Sequence, residues 1–96
     1  MLFVVTCVDK PDSLDKRMAN RPAHLAYLNG LGSGVKIGGA LLAPDLKTPV
    51  GSLIVFEAES EADVLAILAK DPYSSAGLFE SVSVKPWRPA VGQSLA

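Results

Sequence analysis

The chain lacks the residues that several common chemistries need. It has one cysteine, Cys7, so no intrachain disulfide can form. That usage fits a reducing compartment, and the expected location is the cytoplasm. It has one histidine, His24. One cysteine and one histidine cannot build a Cys/His zinc site within a chain, so no metal is expected. Basic runs are missing too: 9 basic and 10 acidic residues are mixed along the chain, for a net charge of −1. The electrostatic footprint of a nucleic-acid binder is absent, and no nucleic-acid partner is expected. No segment approaches the roughly 20 apolar residues of a membrane span, so no membrane partner is expected either. The apolar start, Met1 to Val8, is short and lacks the basic segment and cleavage site of a signal peptide; it reads as a strand. There is no Gly-rich phosphate loop, no GxSxG elbow, no CxxC pair and no dedicated haem-ligand pattern, so no cofactor is expected.

Apolar side chain, by contrast, is plentiful. Of 96 residues, 49% are hydrophobic and only 20% charged. That length makes one domain, whose small core cannot hide so much apolar surface. Part of it is expected in a subunit interface.

Residues 2–8 form an apolar strand, with Leu2, Val4 and Val8 on one face and Phe3, Val5 and Cys7 on the other. The turn cluster at 9–13 carries helix-start signals. Residues 14–31 show helical spacing, with Leu14, Met18, Leu25, Leu28 and Leu31 on one face. Pro22 removes a backbone donor, so a single kinked helix is expected. Residues 35–43 read as a second strand with Val35, Ile37 and Leu41 on one face; Gly38-Gly39 suggests a bulge or a close approach there. Residues 51–58 read as a third strand, apolar on both faces. Ser60 is placed to cap a second helix ending near Lys70, because Pro72 disfavours helical geometry at Asp71. Residues 73–78 read as a turn or helical fragment, and 79–86 as a half-exposed strand. The order β-α-β-β-α-β is the ferredoxin-like motif. Two helices cover one face of such a sheet; the other face is most economically covered by the sheet of a second copy, giving a homodimer.

Arg17, Arg21 and His24 follow one another at spacings of four and three, on one stripe of the first helix, and Tyr27 follows. A histidine between arginines can carry a proton while the guanidinium groups hold an anion. The plainer reading is a half-buried histidine beside solvated arginines. Asp71-Pro72-Tyr73 offers a carboxylate held extended, able to orient His24 as in a triad. The plainer reading makes Asp71 the cap of a short helix with proline in its first turn; both can hold, since a carboxylate has two oxygens. Ser74 can donate into a pocket, or simply sit in a turn. Cys7 reads as a buried small hydrophobe.

The run from Asp9 to Leu14, then Arg17, Arg21-Pro22-Ala23-His24-Leu25, the Gly38-Gly39 strand, Asp71-Pro72-Tyr73 and the ending Val82 to Trp87 together resemble the YciI-like (YCII-related) family. The resemblance covers residues 1–88 as a single domain and leaves 89–96 as a C-terminal tail. It implies a dimeric α/β barrel fold and an active site with a His-Asp pair. By motif that pair is His24 and Asp71, with Arg17, Arg21, Tyr27, Gly39, Tyr73 and Ser74 as substrate-binding candidates. The implied function is a cofactor-independent lyase or isomerase acting by proton transfer on a small, anionic organic molecule. The alternative is a non-catalytic dimeric module that binds a small anion.

Overall fold

The computed structural model describes residues 1–92, and positions 93–96 of the expected tail lie outside the described residues. The elements follow as β1 (Leu2–Asp9), α1 (Leu14–Asn29), β2 (Val35–Leu42), β3 (Pro49–Glu57), α2 (Glu61–Ala69), α3 (Pro72–Ser75) and β4 (Phe79–Trp87). The strands form one antiparallel sheet in the order β2-β3-β1-β4. The fold is thus α+β and ferredoxin-like, with β1 and β3 central.

Strand parity sets the two faces of the sheet. Phe3, Val5 and Cys7 of β1 turn toward the helices and pair in register with Phe56, Ile54 and Ser52 of β3. They meet Leu28 of α1, Val64 and Leu68 of α2 and Val84 of β4 in one buried cluster. At Gly51 the strands approach so closely that an added Cβ would run into the Cys7 carbonyl oxygen. On the opposite face Val4, Thr6 and Leu53 stand with Ile37, Leu41 and Trp87, and among the described residues no helix lies over them. Ile37, Leu53 and Trp87 keep 38%, 37% and 43% of their surface exposed.

Several expectations are corrected. The expected stripe of the first helix is buried only in part: Leu28 lies in the core and Leu31 packs against it, but Leu14, Met18 and Leu25 are exposed, whereas Arg17 and His24 are buried. The inward face is turned by roughly 50° from the centre of the expected stripe. It is fixed by partners outside the helix, Asp9 and Ser52 for Arg17 and Asp71 for His24, which helical spacing cannot reveal. In β2, Val35 and Ile37 do not share a face, because the register shifts between them; Val35 pairs with Phe56 and Ile37 with Val55. The irregularities fall at Val35/Ile37 and Leu41/Leu42, on either side of Gly38-Gly39 rather than at it. The first helix runs through Pro22 as one element and ends at Asn29, two residues short of the expected bound.

Candidate active site

Pro72 disfavours helical geometry at the residue before it, so Asp71 is extended, with φ −65° and ψ 132°. Its carboxylate folds back to cap α3, accepting the Tyr73 backbone N–H at 2.9 Å. The same carboxylate meets Nδ1 of His24, at 2.8 Å for Oδ1 and 2.9 Å for Oδ2. The helix-cap geometry and the histidine contact therefore coexist. An ionised carboxylate only accepts hydrogen bonds, so Nδ1 donates to it, and in the neutral ring Nε2 carries the lone pair. Among the described residues Nε2 has no partner, and no buried side-chain polar atom is left unsatisfied. Nε2 therefore reaches open space.

The His24 ring stacks on Tyr73, with centroids 3.8 Å apart and planes 14° from parallel. Phe79 meets the Tyr73 ring edge-on at 5.9 Å, and the Arg17 guanidinium lies 4.7 Å from its centroid. Burial raises the Tyr73 phenol above its ordinary pKa, against the opposing pull of Arg17 and Arg21.

Arg17 is only 4% exposed. It grips Asp9 at the end of β1 through two hydrogen bonds, of 2.7 Å from Nε and 3.1 Å from Nη2. Nη2 also donates to Ser52 Oγ at 2.8 Å. Burial works against the guanidinium charge, but the hydrogen bonds and charge of Asp9 outweigh it and raise the Arg17 pKa. The structure thus gives Arg17 a protein partner where the sequence expectation gave it a ligand. Arg21 is exposed and has no carboxylate partner among the described residues.

These groups border a cleft of about 230 Å³ lined by Arg17, Arg21, His24 and Tyr73 on one side and by Gly38, Gly39, Ala40, Ser52 and Ile54 on the other. Small residues keep the sheet side low. Two expected residues do not line it. The Tyr27 hydroxyl donates at 2.7 Å to the Ile67 carbonyl, which ties α1 to α2, and Ser74 lies half-buried in α3. A wider groove of about 340 Å³ follows the β1–α1 turn, between Lys10–Leu14 and Thr48–Val50. Asp9 borders it but is already spent on Arg17, so the smaller cleft is where chemistry is available. Among the described residues no group of three or more His, Cys, Asp or Glu side chains is placed to hold a metal ion.

Asp9 and Ser52 were not among the sequence candidates. Strand alternation carries their signal: Asp9 continues the inward set 3, 5, 7, and Ser52 begins the inward set 52, 54, 56. A carboxylate and a hydroxyl on a core-facing parity need buried partners.

The YCII-related domain model matches residues 1–88. The chain is 41% identical over 95 residues to protein YciI of Escherichia coli, covering 92% of this chain and 97% of that one. An uncharacterised protein of Haemophilus influenzae is 33% identical over the same shares of the two chains. Among solved structures, 5-chloro-2-hydroxyhydroquinone dehydrochlorinase of Burkholderia phenoliruptrix, in complex with 2,5-dihydroxybenzoquinone, superposes with a TM-score of 0.85. It is 37% identical, over 94% of this chain and 96% of that chain. An antibiotic biosynthesis monooxygenase shares the fold at a TM-score of 0.55 and 13% identity, over 93% of this chain and all of the other.

Proposed function

The chain belongs to the YCII-related family, and we propose that it is a cofactor-independent enzyme that moves a proton on a small, enolisable organic molecule. One observation carries this reading: a buried histidine whose Nδ1 is held by a carboxylate while Nε2, among the described residues, is left unpartnered at a cleft. Asp71 fixes the ring and favours the imidazolium once it forms. Nε2 takes a proton from carbon: the C–H bond breaks, an N–H bond forms, and the electron pair moves to the neighbouring carbonyl oxygen. The enolate then either regains the proton at another carbon or expels a leaving group, which makes the reaction an isomerisation or an elimination. Arg21, the free cation at the rim, draws in an anionic substrate. Tyr73 and Gly39 shape its seat. A dehydrochlorinase 37% identical to this chain supports small-molecule catalysis of the elimination type.

The same reading places a second copy on the bare apolar face of the sheet, over Ile37, Leu53 and Trp87. Such a dimer would work in the cytoplasm, where the lone Cys7 stays reduced.

The first test uses 2,5-dihydroxybenzoquinone in D2O. Its ring C–H positions exchange only through protonation and deprotonation of carbon. NMR should show exchange accelerated by the wild type and not by His24→Gln. Saturable binding without faster exchange would favour a non-catalytic anion-binding module instead.

A further inference from the structure

Ser52 sits at the fourth position of β3, opposite Cys7 of β1 and Ala40 of β2, on the helix-covered face. It is 97% hidden, being 3% exposed, yet it borders the cleft with His24 and Tyr73. Its oxygen accepts a hydrogen bond of 2.8 Å from Arg17 Nη2. A guanidinium has only donors, so this contact uses a lone pair of Ser52 and leaves its hydroxyl hydrogen unspent. Among the described residues no acceptor takes that hydrogen; the Cys7 sulfur, next to it across the strand pair, does not. Buried donors are rarely left idle, and the open space beside this one is the cleft.

We infer that the Ser52 hydroxyl donates its hydrogen bond to the substrate, to the oxygen on which negative charge gathers when His24 removes a proton. This rests on the proton-transfer reading above and adds the group that reading lacks. A hydroxyl that accepts from a cation is a stronger donor than a free one. Arg17 is itself clamped by two hydrogen bonds to Asp9, so the Asp9-Arg17-Ser52 chain is set before any ligand arrives. A fixed donor in a dry site stabilises developing charge without reorganising, which is what an oxyanion donor requires. Arg17 acts through Ser52 and is a positioning residue. The substrate class narrows to molecules with an enolate- or phenolate-type oxygen close to the reacting carbon.

The test measures dissociation constants of two probes by calorimetry. 2,5-Dihydroxybenzoquinone carries ionised oxygens; 2,5-dimethylbenzoquinone has a similar outline without them. Ser52→Ala should weaken the dihydroxy probe by about tenfold or more, the usual weight of a hydrogen bond to a charged group. It should leave the dimethyl probe unchanged, and Ser52→Thr, which keeps the hydroxyl, should restore binding. Equal loss for both probes, or no loss for either, overturns the role of Ser52. If the dihydroxy probe binds Ser52→Ala normally and His24→Gln fails to speed its exchange, the proton-transfer reading stands and the Ser52 inference falls. If exchange is unaffected by His24→Gln while Ser52→Ala weakens binding, the reading of His24 falls instead. A wild type that binds neither probe overturns both.

Discussion

Two buried basic side chains lean on the Tyr73 ring, each held by a carboxylate, and they differ in what they have left over. Arg17 meets Asp9 twice and Ser52 once, inside the core. His24 meets Asp71 through Nδ1 alone and, among the described residues, keeps Nε2 unpartnered. The first pair is closed and holds the fold and a hydroxyl in place. The second is open and can exchange a proton with a ligand. A buried ion pair is thus not a functional signal by itself; the signal is a polar valence that no protein group uses.

Breaking the closed pair should do the most harm to the fold. Asp9→Ala leaves the Arg17 guanidinium buried without its counter-charge, and both side chains are nearly inaccessible, at 5% and 6%. A loss of about 3–5 kcal/mol is expected in urea unfolding, as for other buried pairs stripped of one partner. The double variant Asp9→Ala with Arg17→Met should recover part of it. A loss no greater than that of a surface pair would mean that the contact is not held in solution.

Breaking the open pair should cost less stability and more chemistry. Asp71→Asn keeps a cap oxygen for the Tyr73 N–H but removes the charge facing His24. A loss of about 1–2 kcal/mol is expected. Ring-nitrogen NMR of the single histidine sharpens the contrast: the Nδ1–H form should dominate in the wild type. In Asp71→Asn it should give way to a mixture of tautomers, with slower exchange of the dihydroxyquinone. An unchanged tautomer and exchange rate would reduce Asp71 to a helix cap.

The fold and half of the site could be read from the chain. The central strands were legible because β1 and β3 are apolar on both parities, and the α2 start was legible because Ser60 accepts the Asp63 N–H as an N-cap should, at 3.2 Å. The contact between His24 and Asp71 was one of two readings of Asp71 that the residue types left open, and the family resemblance favoured it; spacing could not give it, since 47 residues separate them. The orientation of α1 was not legible. A stripe of leucines normally marks the buried face, but here Arg17 and His24 displace part of it, because Arg17 finds Asp9 at the end of β1 and His24 finds Asp71 far along the chain. Once Arg17 and His24 face inward, Leu14, Met18 and Leu25 are forced outward. Ser52 was hidden for a related reason: a serine in a strand means little until an arginine is found to spend one of its lone pairs.

Cys7 offers the finest probe of the difference between the pairs, since it is buried among them without joining either. Burial pushes its thiol up to about 12, the charges of Asp71 and Asp9 push in the same direction, and Arg17 pulls back. The native thiol should therefore resist iodoacetamide at pH 8, whereas the urea-unfolded chain, with an ordinary value near 9.0, should react. The sign for stability follows. From about pH 9 to about pH 12 the unfolded chain has lost the Cys7 proton and the folded chain has kept it. Stability is therefore undiminished below that window and falls as pH rises through it. Cys7→Ala should remove this part of the alkaline loss. Rapid alkylation of the native chain at pH 8 would show that the region between the two pairs opens to solvent, and the closed pair would then be closed only on average.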